Sequence, residues 1–299
     1  MPRIMRILHR TEYRYDRLVS LNPHRLMLRP RDGHDLWVDD ALLTIRPRAE
    51  LRWSFDTFGN SIAVATFADA TDSLLIESEL FLRRYVTDFS FKPDGAHICP
   101  FPFDYTDEER RDLHPYLGLQ FPEDADILDQ WLEANFVDRP GGAFHFLHSL
   151  SDSIHRSLTY SSRDEMGTQT AAETIFRGLG TCRDFAFLFM EASRRFGFAA
   201  RFVTGYLNDL NAGRDGAADA EGPVGGGATH AWADVFVPGE GWIEFDPTNR
   251  ITAGGELVRV ATTRTPSQAS PVSGSYVGAG AVFLGLTVSV DVSEAERLP

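Results

Sequence analysis

The sequence predicts an α+β protein in which a β-sandwich-like N-terminal domain precedes a domain of helices packed on an antiparallel sheet. Three observations support this prediction. Polar and apolar positions alternate with a period of two over residues 1–90, as in half-buried strands. Apolar residues recur every three or four positions over 127–158, as on one face of a helix. Short apolar runs bounded by glycine and proline return after residue 200.

The N-terminal strands have the most regular pattern. In His9–Asp16 the odd positions are His, Thr and Tyr and the even positions are charged. One face of this strand should therefore be buried and the other exposed to solvent. The Gly59-Asn60 pair and the Pro, Gly and Asp clusters at 30–35 and 93–95 supply turns. Further strands are predicted at Leu36–Ile45, Leu51–Phe55, Ile62–Phe67 and Leu74–Val86.

These patterns divide the chain into three segments: a β domain over 1–95, an acidic linker or helical segment over 96–140, and a second domain over 141–299. The prolines within Cys99–Phe103 disfavour helix, so this stretch should be extended. Residues 104–138 hold 11 carboxylates against two arginines, which predicts a solvated helical surface, with a docking site for a basic partner as the alternative. The last strands, near Ala281–Val292, should return to one of the sheets.

Composition excludes several classes of protein. The hydrophobic share of 43% and the charged share of 24% are those of a folded globular chain. Two cysteines, Cys99 and Cys182, cannot build a disulfide framework, so a reducing compartment is expected. The net charge of −14 argues against a nucleic-acid partner. Without a signal-peptide core or a long apolar run, we expect a cytoplasmic protein that does not enter the membrane.

A cysteine is predicted at the start of a helix. Residues 178–184 form a glycine-rich turn that leads into an apolar helix over Phe185–Phe196. Thr181, followed three residues later by Asp184, matches a relaxed capping box and places Cys182 in the first helical turn. The unpaired amides and the helix dipole stabilise a thiolate at that position. A small buried structural cysteine is the alternative.

Two predicted strands carry a histidine and an aspartate. Thr229–Val237 and Gly241–Asp246 are separated by a turn, so they should form an antiparallel hairpin. His230 and Asp246 lie at the same end of that hairpin, where an imidazole and a carboxylate can meet. With Cys182 they would supply a nucleophile, a base and an orienting group. A zinc site is disfavoured because the chain lacks paired Cys-x-x-Cys spacing.

Four strings, in order, resemble the catalytic core of the bacterial transglutaminase-like superfamily over about 145–250. The run Leu8–Tyr15 also resembles the β-rich domain that precedes this core in bacterial members. The strings are Gly-Thr-Cys-Arg-Asp at 180–184, Ala-Arg-Phe-Val-Thr-Gly-Tyr at 200–206, His-Ala-Trp at 230–232 and Trp-Ile-Glu-Phe-Asp-Pro-Thr-Asn at 242–249.

The resemblance implies a papain-like core with Cys182 as nucleophile, His230 as base and Asp246 as third member of a triad. It implies a cysteine protease, amidase or acyltransferase that forms a thioester with an amide of a protein or peptide and passes the acyl group to water or an amine. No cofactor or metal is expected. A non-enzymatic interaction module that retains the fold is the alternative.

Two further residues are assigned as hypotheses. Animal transglutaminases place a tryptophan upstream of the cysteine for the oxyanion, and this chain has none between Arg139 and Cys182. We therefore assign the carboxamide of Gln169 beside the Cys182 N–H group, with an exposed turn glutamine as the alternative. Trp232 is assigned to the substrate cleft, with a core position as the alternative. The loop 208–228 should rim the cleft, where it would gate substrate entry; an ion-binding loop is the alternative, although its acidic residues lack the EF-hand spacing of a calcium site.

Overall fold

The computed structural model describes residues 2–85, 99–137, 139–163, 167–208, 228–253 and 255–295. These residues form a strand-rich N-terminal region followed by helices packed on a second sheet, which confirms the predicted α+β class. Within the described ranges, no helix has the length and apolar character needed to cross a membrane.

The α-helices of the described residues are α1 (Asp107–Leu113), α2 (Ala125–Asn135), α3 (Ala143–Ser157), α4 (Ala171–Arg177) and α5 (Cys182–Arg195). The strands are β1 (Arg3–Leu21), β2 (His24–Leu26), β3 (Leu36–Arg46), β4 (Ala49–Phe55), β5 (Ser61–Phe67), β6 (Thr71–Arg84), β7 (Thr159–Tyr160), β8 (Leu179–Gly180), β9 (Ala199–Leu207), β10 (His230–Val237), β11 (Gly241–Asp246), β12 (Ile251–Thr252), β13 (Leu257–Thr263), β14 (Val272–Ser273), β15 (Tyr276–Val277) and β16 (Phe283–Glu294).

The N-terminal region consists of two facing sheets. The first has the order β15-β1-β6-β3, with β16 also on β1, and the second has the order β14-β2-β5-β4. The predicted alternation in β1 is observed, since Met5, Ile7, His9 and Thr11 are buried while the residues between them are at least partly exposed. A shared core between the sheets includes Tyr15, Val19, Leu26, Ala65, Leu74 and Ile76.

The last strands complete these N-terminal sheets. β16 runs antiparallel along β1, from Met5 opposite Glu294 to Tyr15 opposite Phe283. β15 also pairs with β1, and β14 pairs with β2. The predicted return of the chain is therefore observed, but these strands join the first sheets, whereas the sequence grouped them with residues 141–299. The physical reason is that Val290 and Val292 of β16 pack into the core to which Met5 and Ile7 of β1 belong.

The second half of the chain is built on an antiparallel sheet with the order β12-β11-β10-β9-β13. Helix α5 shares one core with this sheet, and alanines at 200, 231 and 233 are buried in that core together with Phe185 and Phe189. Small side chains on the strands let a helix rich in phenylalanine approach closely. Helices α2 and α3 add apolar residues to the same core, as their helical periodicity predicts.

Buried hydrogen bonds join the two halves. His9 Nδ1 on β1 lies 3.0 Å from the hydroxyl of Tyr206 on β9, and both side chains are buried. The Asn60 carboxamide donates to Thr262 O at 2.7 Å and accepts from Thr262 N at 2.9 Å. Because buried polar groups are costly without partners, these contacts fix the relative placement of the two sheets.

A cluster of charges lies at the same interface. Asp35 and Arg84 from the N-terminal sheets form an ion pair. Glu244 on β11 faces Arg259 Nη1 at 3.2 Å and Arg84 Nη2 at 3.8 Å. Arg259 Nη2 also lies 3.7 Å from Asp35 Oδ2. The carboxylates and guanidinium groups thus alternate across the boundary between the halves.

Candidate active site

Cys182 is the first residue of α5, as the sequence predicts. Its N-cap residue Thr181 has an extended backbone, and Thr181 O accepts from the amides of Asp184 (3.1 Å) and Phe185 (3.0 Å). The cysteine is a free thiol with 8% of its surface exposed. The turn before the helix therefore holds the thiol at the positive end of the helix dipole, where a thiolate is stabilised.

His230 and Asp246 are brought together by the β10–β11 hairpin. His230 Nε2 lies 2.7 Å from Asp246 Oδ2, and neither side chain has exposed surface. The other oxygen, Oδ1, accepts from the Thr248 amide at 2.9 Å. The Asn249 carboxamide donates to Oδ2 at 2.9 Å. Both oxygens of the Asp246 carboxylate thus accept hydrogen bonds, and the carboxylate in turn orients the imidazole ring.

The electrostatics favour a charged imidazole. Burial alone would lower the pKa of His230, but the charge and hydrogen bond of Asp246, with a contribution from Cys182, raise it to about 10. Burial would raise the pKa of Asp246, but His230, Asn249 and the Thr248 amide together hold it below its ordinary value. The pair is therefore imidazolium and carboxylate at neutral pH.

The second ring nitrogen of His230 is available to the thiol. Nε2 is engaged by Asp246, and among the described residues Nδ1 has no hydrogen-bond partner. Cys182 raises the pKa of the imidazole through a side-chain hydrogen bond as well as through its charge, so the thiol lies close to the ring although Nδ1 meets no strict hydrogen-bond geometry. A thiol and an imidazole at such a distance are common in thiol enzymes without bound substrate.

Asp184 organises the turn that presents Cys182. Its carboxylate has no exposed surface and accepts from Thr181 N at 2.8 Å and Thr181 Oγ1 at 2.9 Å. Arg163 Nη2 donates to it at 2.7 Å, and Arg163 Nε at 3.2 Å. The predicted cap is thus also an anchor for the segment around 163–169.

Gln169 contacts the carboxylate of Asp184. Its backbone amide donates to Asp184 Oδ1 at 2.7 Å, and its Nε2 lies 3.4 Å from Asp184 Oδ2. The residue is 3% exposed, so it is not the surface turn residue considered as the alternative. The donor that an oxyanion would need therefore faces a carboxylate. The assignment of Gln169 to the oxyanion site stays a prediction.

Trp232 is fully buried beside His230. Their ring centroids are 6.2 Å apart with planes inclined by 28°. Gly205, opposite His230 in the sheet, makes room for the indole, because a Cβ there would lie 2.6 Å from Trp232 Cη2 and 2.1 Å from Val258 O. Trp232 supports the imidazole, and its role in a substrate cleft stays a prediction. The loop expected to rim the cleft lies, over 209–227, outside the described residues.

Helix α3 anchors the chain that follows Asp246. His155 Nδ1 lies 3.0 Å from Thr248 O, and since a carbonyl only accepts, the imidazole donates. Asp152 binds Arg250 at 2.8 Å. One face of α3 therefore holds the turn that carries the partners of Asp246.

Two residues at the site were not selected from the sequence. Asn249 shares an oxygen of Asp246 with His230, and the spacing Asp-x-x-Asn within one turn is a local signal that could have identified it. Tyr160 on β7 pairs with Gly180 on β8, just before Cys182. No local pattern marks Tyr160, because its position depends on the pairing of two very short strands.

Comparison with known proteins agrees with this architecture. The family profile described as "Bacterial transglutaminase-like N-terminal region" matches residues 5–82, and the profile "Transglutaminase-like superfamily" matches 132–247. Cys182, His230 and Asp246 all lie in the second range. The uncharacterized protein Rv2569c of Mycobacterium tuberculosis is 28% identical over 309 residues, which cover 98% of this chain and 94% of that protein. The uncharacterized protein ML0607 of Mycobacterium leprae is 32% identical over 111 residues, 37% of each chain.

A solved structure shares the whole fold. The crystal structure named as that of "a Putative Cysteine Protease from Cytophaga hutchinsonii" aligns with a TM-score of 0.69 at 19% identity, covering 100% of this chain and 93% of that chain. Both the predicted fold and the resemblance stated from the sequence are confirmed. Residues 132–247 thus belong to the transglutaminase-like superfamily, and residues 5–82 match the N-terminal region of its bacterial members.

Proposed function

We propose that this protein is a thiol enzyme that cleaves an amide bond through a thioester, with Cys182 as nucleophile, His230 as base and Asp246 as its orienting partner. One observation carries the proposal: the imidazole is bound to Asp246 through Nε2 at 2.7 Å, while Nδ1, on the side of the cysteine, has no partner among the described residues. A structural histidine with a raised pKa would normally have both nitrogens engaged.

In the first half of the reaction, the sulfur of Cys182 attacks the carbonyl carbon of the amide. The carbonyl electron pair moves to oxygen and forms a tetrahedral oxyanion. When that pair returns, the carbon–nitrogen bond breaks, and the leaving amine takes a proton from the His230 imidazolium. The product is a thioester between Cys182 and the acyl group.

In the second half, water or a second amine attacks the thioester carbon. His230 takes the proton of the attacking group, the carbon–sulfur bond breaks, and the thiolate is restored. Asp246 keeps Nδ1 directed at the reacting atoms in both halves. We propose a protein or peptide as the acyl donor and a reducing, cytoplasmic environment that keeps Cys182 reduced.

The proposal is tested by the reactivity of the two thiols toward iodoacetamide. Cys99 is the internal reference, because burial and the charges of Glu240 and Glu109 raise its pKa. We expect Cys182 to be alkylated at least about 10-fold faster than Cys99 at neutral pH, as measured by peptide mass spectrometry. A His230→Ala variant should lose most of this advantage.

A second measurement addresses catalysis itself. Incubation with p-nitrophenyl acetate should give a burst of p-nitrophenol and an acetyl group on Cys182, absent in Cys182→Ala and retained in Cys99→Ala. If Cys182 and Cys99 react alike and no acyl-enzyme forms, the enzyme proposal is overturned in favour of an interaction module.

A further inference from the structure

We propose that Tyr160 is a catalytic residue whose hydroxyl donates the side-chain hydrogen bond to the oxyanion, beside the backbone amide of Cys182. The inference rests on the proposed thiol chemistry and adds to it the donor that the sequence assigned to Gln169.

The backbone places Tyr160 beside the nucleophile. β7 and β8 form a parallel pair in which Thr159 lies opposite Leu179 and Tyr160 opposite Gly180. Ser161 N donates to Gly180 O at 2.9 Å, which extends the pairing by one residue. Cys182 follows Gly180 by two positions. β7 therefore lies beside the turn that leads directly into Cys182.

The side chain of Tyr160 points to the same region. Its ring meets the ring of Phe185, in the first turn of α5, edge to face at 6.4 Å and 82°. Electrostatic interactions of the phenol include those with Cys182, Arg183 and Asp246. The phenol is thus half-buried at the boundary between the helix start and the hairpin that carries the base.

The Tyr160 hydroxyl is protonated, as a hydrogen-bond donor must be. Burial, followed by the charge of Cys182 and to a lesser degree that of Asp246, raises the pKa of Tyr160, so the phenol keeps its proton. Within the described part of the chain, the hydroxyl has no hydrogen-bond partner. The carboxamide of Gln169, by contrast, faces Asp184.

The role requires no proton transfer through Tyr160. As the Cys182 sulfur bonds to the carbonyl carbon, the π electron pair of the carbonyl moves to oxygen. The phenol O–H and the Cys182 N–H donate to that oxygen, and both release it when the pair reforms the carbonyl. Tyr160 would therefore affect only reactions that pass through a tetrahedral oxyanion.

Two probes separate this role from a structural one. Alkylation by iodoacetamide displaces iodide directly and forms no oxyanion, whereas acylation by p-nitrophenyl acetate forms one at the same sulfur. We expect Tyr160→Phe to lower the acylation rate by about 100-fold or more while the alkylation rate of Cys182 stays within about twofold of the unmodified protein. Tyr276→Phe, which alters a partly buried tyrosine of the N-terminal sheets, should change neither rate.

Each other outcome contradicts the proposal. Equal losses in both rates for Tyr160→Phe would assign Tyr160 a structural role only. An unchanged acylation rate in Tyr160→Phe, with a loss in Gln169→Ala, would assign the donor to Gln169. An unmodified protein whose Cys182 neither alkylates rapidly nor acylates would overturn the thiol chemistry itself, which is a different result from the selective loss tested here.

Discussion

Asn249 and His230 bind the same oxygen of Asp246: the Asn249 carboxamide donates to Oδ2 at 2.9 Å and the imidazole Nε2 lies at 2.7 Å. The amide therefore limits where the carboxylate can rotate and so where the imidazole points. We predict that Asn249→Ala lowers the acylation rate of Cys182 by p-nitrophenyl acetate about 10- to 100-fold, the usual worth of a hydrogen bond to a charged group.

The matched control for this change is Asn22→Ala, whose carboxamide donates to Ser275 Oγ at 2.9 Å on the far sheets. It should leave the acylation rate unchanged. If the two variants behave alike, Asn249 does not act through Asp246.

His230 should make stability depend on pH in the alkaline range. Its pKa rises from an ordinary value of 6.5 to about 10 in the folded protein, so the folded state holds this proton more tightly than the unfolded state. The resulting stabilisation is complete below about pH 6.5 and is lost as the pH rises through about 10.

We test this in a Cys182→Ala background, so that the thiol does not titrate in the same range. The free energy of unfolding in urea, compared with that of Cys182→Ala/His230→Gln, should show an advantage for histidine at about pH 6 that shrinks by about pH 10. A constant difference between the two variants would contradict the prediction.

Glu244 should have the opposite kind of effect. Burial and the charge of Asp234 raise its pKa to about 7 from an ordinary 4.5, although Arg259 and Arg84 oppose the shift. The folded state therefore favours the protonated acid, and stability falls as the pH rises from about 4.5 to about 7. We predict that Glu244→Gln gains stability relative to the unmodified protein across this window.

Urea unfolding at about pH 5, 6 and 8 measures the change. Glu50→Gln, which removes a carboxylate from an exposed position on β4, is the matched control. A pH-independent difference for Glu244→Gln would show that the carboxyl group is not strained at the interface.

Gly205 should tolerate no side chain. A Cβ would lie 2.1 Å from Val258 O and 2.6 Å from Trp232 Cη2, so the sheet or the indole beside His230 must shift. We predict that Gly205→Ala lowers the free energy of unfolding by about 1–3 kcal/mol or more and slows alkylation of Cys182. Gly141→Ala, where a Cβ meets nothing within 4 Å, should be close to neutral in both measurements.

The sequence predicted the parts of the fold that depend on local pattern. The long strands β1, β3, β4, β5 and β6, helices α2, α3 and α5 and the β10–β11 hairpin follow from periodicity and turn residues, whereas the three-residue strand β2 was not predicted. Short elements such as α4, β7 and β8 have too few residues for a period to be visible. The pairing of β16 with β1 joins residues far apart in sequence, which local propensity does not encode.

The site shows the same division. His230 and Asp246 were predicted to meet because one hairpin carries both, and they do. The contact of Gln169 with Asp184 joins a loop to the start of a helix. The sequence therefore identified Gln169 as a hydrogen-bond donor, but it could not predict that the carboxamide faces Asp184. The sequence did not identify Tyr160, because its position depends on the pairing of β7 with β8. Its partner residue there, Gly180, has no side chain that would indicate a functional site.

The pairing of β16 with β1 makes the half of the chain that contains Cys182 a topological insertion. The chain leaves the N-terminal sheets after β6 and rejoins them at β14, so both ends of the inserted half are held by one sandwich. Excising this inserted half would therefore take two cuts and would leave Tyr206 without its partner His9. Conversely, melting of the sandwich would release both tethers at once, which couples the unfolding of the two halves.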